Sequence, residues 1–337
     1  MRRAALIYNP TSGRKRGRRL RHVTAAADTL RAAGVDAVLM PTTGPGAATQ
    51  LAAQAIHEGF DTLLACGGDG TMNEVLQAAV NTEAALGVVP AGTVNVLARD
   101  LGVPFTADAA ARTLLKSEPC RLGVGRMEFT NRSGAIETRY FTVMAGVGVD
   151  AQLPYRVDLA LKKRIGIFAY VVESLRIVFK LDFAPQLITF TDADGNQRRE
   201  FASEILASRV SAFANIPHSF TFTPQASLTS EHFELLMFKS WRVAPYLRYF
   251  TAATFGRHPN MKDVERVLAS EVQCVAAPEH ELPAAWRKRH GSPANIYAQV
   301  DGEFCGGLPV RMTVQPRAFT LLVPHGCRYL QSGERTG

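Results

Sequence analysis

The chain has 337 residues, 47% of them hydrophobic and 20% charged, with a formal net charge of +8. Such a composition excludes a disordered chain, and the length suits two domains better than one. The basic excess favours an anionic partner such as a nucleotide, nucleic acid or anionic lipid. Five cysteines at 66, 120, 274, 305 and 327, with no CxxC pair, exclude a zinc module and point to a reduced, cytoplasmic chain. The opening MRRAALIYNP lacks the apolar core of a signal peptide, and no run reaches the ~18 apolar residues of a membrane span.

The first third alternates short apolar runs with helix patterns. Ala4–Tyr8 reads as a strand, and Gly17–Ala33 as a helix stopped by Gly34. Val35–Met40 is a strand and Gly46–His57 a helix; Thr62–Cys66 is a strand and Thr71–Val80 a helix. Leu86–Val89 is a strand, and a helix from Thr93 to Asp100 stops near Gly102 and Pro104. This alternation predicts βα units around a mostly parallel sheet, an α/β domain over residues 1–120.

Beyond Cys120 the pattern becomes strand after strand: Leu122–Phe129, Tyr140–Met144, Leu187–Thr191, Glu204–Ala214, Phe233–Lys239, Glu271–Ala276, Ala298–Val300 and Arg311–Gln315. Asp194-Gly195 signals a hairpin. The expectation is a β-sandwich over residues 121–317. Helical stretches interrupt it near Val157–Phe179 and Ala244–Phe255, and a late strand, Ala318–Val323, is free to return with 318–337 to the first domain.

Two strand-to-helix loops carry the chemistry. In Gly67-Gly68-Asp69-Gly70-Thr71 the glycines let backbone N–H groups approach an anion, and the following helix adds its N-terminal dipole. A carboxylate in a phosphate cradle is repulsive unless a cation intervenes, so Asp69 is the candidate Mg²⁺ ligand; the plainer alternative is a helix-capping carboxylate. The second loop, Pro90-Ala-Gly92-Thr93-Val-Asn95, is built alike. Asn9-Pro10-Thr11-Ser12-Gly13 follows the first strand, and Thr42 follows the second. The basic run from Arg14 to Arg19 reads equally as a solvated helix face.

With NPTSG, GGDGTMNE and PAGTVNVLAR in this order, the sequence resembles the diacylglycerol kinase catalytic domain family, which includes bacterial lipid kinases and the sphingosine and ceramide kinases. FTVMAGVGVDA, KKRIGIFAYV, FTPQASLTSEHFELL and VDGEF extend the resemblance over nearly the whole chain. It implies a nucleotide-binding α/β domain followed by a β-sandwich, and Mg²⁺-dependent phosphoryl transfer from ATP to a lipid hydroxyl. It implies ATP against Asn9, Pro10, Thr11, Ser12, Gly13, Thr42, Gly67, Gly68, Asp69, Gly70, Thr71, Glu74, Gly92, Thr93 and Asn95. The Asp301-Gly302-Glu303 element implies Glu303 as general base, with Asp301 beside it in the catalytic set.

Three positions depart from the family pattern. Val96 stands where an aspartate is common, Gly123 replaces the aspartate of a DxG strand, and Ser230-Glu231 replaces an Asp-Gly that holds a structural Mg²⁺. Val96 is a subgroup feature shared with some bacterial relatives, whereas Gly123 and Ser230 keep open a nucleotide-binding regulatory protein without transfer activity. A small-molecule kinase of the NAD kinase type shares the Gly-Gly-Asp-Gly cradle. Lys162, Lys163 and Arg164 ahead of an apolar helix suit transient contact with an anionic inner-membrane face, as do Arg248, Arg257 and His258, although an amphipathic helix packed on the sandwich reads the same way. No nucleic-acid motif is present. A homodimer stays open.

Overall fold

The computed structural model describes residues 1–10, 16–92, 94–152, 183–211, 223–254, 261–282, 286 and 295–332. The chain forms two compact units: Met1–Val124 with Ser227–Ser230 and Gln315–Gly337, and Gly125–Ala226 with Glu231–Val314.

In the first unit, β1 (Arg3–Tyr8), β2 (Asp36–Pro41), β3 (Thr62–Gly67) and β4 (Ala85–Pro90) pair in parallel in the order β2-β1-β3-β4. The chain's last strand, β14 (Glu303–Val323), adds its end beside β4, with Thr320 opposite Ala85 and Leu321 opposite Leu86. Strands covered on both faces read as unbroken apolar runs, which is why β3 is buried from end to end. The helices are α1 (Arg16–Ala32), α2 (Ala47–His57), α3 (Asp69–Ala79), α4 (Val96–Asp100) and α5 (Ala107–Leu115). α1 packs with α5 and α2 with α3. Right-handed crossovers running in opposite directions, β1 to β2 through α1 and β2 to β3 through α2, put α1 and α2 on opposite faces of the sheet. The strand order reverses between β1 and β3, and in such sheets the carboxyl ends at the reversal form the ligand crevice.

Several boundaries differ from the sequence expectation. α3 starts at Asp69 rather than Thr71, and α4 starts at Val96 rather than Thr93. α5 was not anticipated, although its buried Ala107, Ala110, Ala111 and Leu114 follow helical spacing. The short helix α7 (Arg328–Ser332) closes this unit: Arg328 Nη2 lies 3.0 Å from Asp100 Oδ1, and the Tyr329 hydroxyl donates to Asp100 Oδ2.

The second unit is antiparallel. Its strands are the end of β5 (Glu118–Thr130), β6 (Ile136–Phe141), β7 (Met144–Gly148), β8 (Gln186–Asp192), β9 (Gln197–Ala202), β10 (Glu204–Ser208), β11 (Phe233–Phe238), β12 (Val264–Ala276), β13 (Tyr297–Val300) and the start of β14. They run β14-β13-β7-β10-β11-β12-β8-β9, with β14 pairing to β12 as well as β13. The two layers enclose a core around Phe141, Phe190, Ile205, Phe233, Leu235 and Met312. This is the expected mixed fold, an α/β unit plus a β-sandwich. The helix expected at Ala244–Phe255 is α6 (Val243–Thr254).

The strand expected at Tyr140–Met144 is instead split between β6 and β7, because the backbone N–H groups of residues 142–144 turn to a carboxylate. The strands expected at Arg311–Gln315 and Ala318–Val323 are one strand. β9 escaped notice because its edge sequence, QRREFA, is mostly polar. The expected helix at 157–179 with Lys162, Lys163 and Arg164, and also Arg257 and His258, lie outside the described residues; Arg248 is exposed on α6.

Candidate active site

The loops after β3 and β4 lock together through their backbones. Gly67 O accepts the N–H groups of Ala91 at 2.8 Å and Gly92 at 3.1 Å. A Cβ on Gly92 would come within 3.0 Å of Gly68 Cα, and would stand 2.8 Å from Asn95 Oδ1. A Cβ on Gly67 would run into the Thr71 side chain. Glycine is therefore required here by close approach, the form an anion cradle takes. The first helical bond of α3 is Met72 N to Gly68 O at 3.1 Å, so the N–H groups of Asp69, Gly70 and Thr71 precede any intrahelical acceptor. They sit at the positive end of an 11-residue helix, at the carboxyl end of β3.

Asp69 has a role the sequence did not display. Its Oδ2 accepts Asn95 N at 2.9 Å and its Oδ1 accepts Val96 N at 2.7 Å. The carboxylate is half-buried in the first turn of α3 and ties the start of α4 to the β3 loop. It is thus a capping carboxylate, but for the neighbouring helix rather than its own.

Asn95 completes the lock. It is buried, in a left-handed conformation at φ 51°, and its side chain both accepts Gly92 N at 3.1 Å and donates to Gly92 O at 2.8 Å. Its amide braces the Gly92 loop. Glu74 is likewise occupied: Oε2 accepts Ala48 N at 3.0 Å, in the first turn of α2. Thr42 is buried at the end of β2, its N–H donating to Tyr8 O at 2.8 Å. Asn9 and Pro10 follow β1 and are half-buried. Thr11, Ser12, Gly13 and Thr93 lie outside the described residues.

Two residues near this crevice were missed. Arg19 and His22, on α1, reach the carboxyl ends of β3 and β4: Arg19 interacts with Cys66, and His22 hydrogen-bonds the carbonyl of Pro90. Burial lowers the proton affinity of both and raises that of the Cys66 thiol. The only sequence signal was the basic run itself, which fits a solvated face equally well.

In the second unit, Asp301 and Gly302 form the two-residue turn joining β13 to β14, with Val300 paired to Glu303. Both turn residues have positive φ, 47° and 82°, the geometry for which Asp-Gly is favoured. Asp301 Oδ1 accepts Val143 N and Met144 N, each at 3.0 Å, and Oδ2 accepts Thr142 N at 3.3 Å. Glu303 is exposed at the first position of β14. Gly123 N donates to Leu228 O at 2.9 Å within the first unit, and Glu231 is exposed. Among the described residues, no group of three His, Cys, Asp or Glu side chains is placed to hold a metal ion, and no helix is long and apolar enough to cross a membrane.

The profile of the diacylglycerol kinase catalytic domain matches residues 3–127, and that of the YegS C-terminal NAD kinase beta sandwich-like domain matches residues 143–323. A diacylglycerol kinase of Bacillus subtilis (strain 168) is 30% identical over 312 residues, covering 92% of both chains. The chain belongs to the diacylglycerol kinase family. It is therefore an enzyme, a kinase of the lipid-kinase class. A diacylglycerol kinase of Staphylococcus aureus (strain bovine RF122 / ET3-1) is 27% identical over 96% of this chain and 93% of its own. The fold is also that of a crystal structure of a diacylglycerol kinase from Bacillus anthracis str. Sterne, with a TM-score of 0.67 at 20% identity, covering 96% of this chain and 97% of that one.

Proposed function

We propose that this kinase transfers the γ-phosphate of ATP, with Mg²⁺, to the hydroxyl of diacylglycerol or a closely similar lipid alcohol. The observation that carries the reading is the backbone lock between the Gly67–Thr71 and Gly92–Asn95 loops, at the carboxyl ends of β3 and β4 beside the sheet's strand-order reversal. Full-length similarity to relatives named diacylglycerol kinase supports the acceptor.

The polyphosphate lies against the N–H groups at the start of α3, where glycines leave no Cβ in the way. The residues fit a Mg²⁺–nucleotide: Mg²⁺ is held by one or two carboxylates plus substrate phosphates and water, and Asp69 supplies such a carboxylate. When bound, the ion supplies neutralisation of charge on the transferring phosphoryl group. Asn95 keeps the Gly92 loop closed, and Glu74 holds α2 against α3. Glu303 accepts the proton of the lipid hydroxyl as its oxygen attacks the γ-phosphorus. The new O–P bond forms, the bond to the β-phosphate oxygen breaks, and ADP leaves. Asp301, whose carboxylate is taken up by three backbone N–H groups, holds the hairpin rather than moving a proton. The enzyme meets its lipid by transient contact with the inner membrane face.

The test is transfer of labelled γ-phosphate from ATP to diacylglycerol, monoacylglycerol, phosphatidylglycerol, sphingosine, ceramide and undecaprenol in mixed micelles, with NAD as control. Label on diacylglycerol, lost in Glu303→Gln, is expected. Label on NAD alone overturns the lipid acceptor. ATP binding with no label anywhere favours a regulatory protein. Flotation with liposomes with and without anionic lipid at low salt tests the surface contact; no binding refutes it.

A further inference from the structure

The turn that carries Glu303 is braced a second time, by a route that leads into the sandwich. Gln299, on β13, is buried; its Oε1 accepts Gly302 N at 2.8 Å. Its Nε2 donates to Asp150 Oδ2 at 2.7 Å, and Asp150 N donates to Glu204 Oε2 at 2.9 Å. Glycines make the room: a Cβ on Gly146 would collide with the Asp150 carboxyl, and one on Gly148 would stand 2.8 Å from Glu204 Oε2. Asp150 Oδ1 and Glu204 Oε1 are closed off from water and receive no donor from any described residue. The bond from Asp150 N to Glu204 Oε2 makes the two carboxyls neighbours, and two such acceptors can bond one another only through a proton.

We propose that Asp150 and Glu204 share a proton and, through Gln299, act as positioning residues that hold the Asp301–Glu303 turn in its working form. The inference rests on the function proposed above, since it concerns the turn that carries the base. It assigns Asp150 no contact with substrate.

The electrostatics agree. Burial pushes the Asp150 carboxyl up to about 6; burial and the Asp150 charge together push Glu204 well above the usual carboxylate range. Besides one another, the ionisable groups that interact with the pair among the described residues are Tyr246 of α6 and Cys274 of β12, neither of them a cation. The pair is thus stable with one proton between its members. Loss of that proton at alkaline pH leaves two buried anions side by side, which repel. Asp150 then shifts, Gln299 loses its acceptor, and the brace on Gly302 N loosens.

Variants separate this from a generic packing role. Asp150→Asn keeps an acceptor for Gln299 and supplies its own donor to Glu204, so the brace persists without a shared proton. Asp150→Ala and Gln299→Ala each break it. In phosphate transfer, Gln299→Ala is expected to lower kcat by about 10- to 100-fold with KM for ATP unchanged, the scale of a misplaced catalytic group. Asp150→Asn is expected to keep near wild-type kcat at neutral pH and to lose the wild type's alkaline decline. A readout independent of transfer is the hydrogen-exchange protection factor of the Gly302 amide, corrected for intrinsic exchange. It should fall in Gln299→Ala and Asp150→Ala, hold in Asp150→Asn, and fall at alkaline pH only where Asp150 is present. Unchanged Gly302 protection in Gln299→Ala, or an Asp150→Asn profile with the wild-type alkaline decline, overturns the proposal. A wild-type chain that transfers phosphate to no lipid overturns the proposed function instead, and the Gly302 measurement still decides the relay.

Discussion

Replacing Gly92 by alanine probes the cradle directly. The added methyl would come within 3.0 Å of Gly68 Cα, 3.1 Å from Gly68 N and 2.8 Å from Asn95 Oδ1. The nearest atom is backbone, so no rotamer change relieves the contact, and carbon atoms need about 3.5 Å, which forces the loops apart by roughly 0.5–1 Å. That separation strains the Gly92 N to Gly67 O bond and both side-chain bonds of Asn95 to Gly92. Overpacking of this kind costs about 1–3 kcal/mol of stability. A shift of that size under the phosphates should cost about 100-fold in transfer rate. The assay is ATP binding by calorimetry, transfer from labelled ATP, and urea unfolding, each beside Gly44→Ala. Gly44 has no atom within 4 Å of its would-be Cβ and no positive φ, so its variant should match wild type. Wild-type ATP affinity and rate in Gly92→Ala would refute the cradle.

Four more outcomes are expected. Asp69→Ala should lose transfer and about 1–2 kcal/mol of stability, since it strips the cap from α4; unfolding measured beside ATP binding checks both, and unchanged stability refutes the capping role. Asn95→Ala should cost about 2–3 kcal/mol by urea unfolding, because two hydrogen bonds go and alanine is forced into positive φ. Glu303→Gln should preserve stability and ATP binding while turnover falls, because Glu303 is exposed on its strand; unchanged turnover removes it as the base. For Asp150, a folded value raised from 3.8 to about 6 means the fold is most stable below the unfolded value and loses stability as pH rises through that window. Asp150→Asn should therefore gain on wild type in melting temperature between pH 4 and 7, and parallel curves would refute the burial.

The sheet of the first unit was legible because strands buried on both faces leave unbroken apolar runs, as in Ala4–Tyr8 and Thr62–Cys66. The glycine loops were legible because only close approach explains glycine at 67, 68 and 92 together. Side-chain commitments were not. That Asp69 belongs to α4 and Glu74 to α2 depends on which segments meet. A local pattern carries no record of a partner up to 27 residues away. Asp150 and Glu204 lie 54 residues apart and meet only because β10 pairs with β7. Isolated carboxylates in sequence cannot announce a shared proton.

Asp69 and Asp301 share a design. Each was read from sequence as a carboxylate for chemistry, and each spends its oxygens on backbone N–H groups of another segment: Asn95 and Val96 for one, Thr142 to Met144 for the other. In both cases the receiving segment is where regular structure breaks, at the start of α4 or between β6 and β7. A carboxylate is the right group for this, because one side chain can satisfy several converging donors with charge-assisted bonds. The consequence for interpretation is direct. Loss of activity on removing either aspartate does not by itself identify a metal ligand or a proton carrier, since the loop it caps moves as well. Glu303, the residue read as a base, is exposed at the first position of its strand. The proposed acid–base role is therefore tested most directly at Glu303, while Asp69 and Asp301 each hold a backbone segment in place.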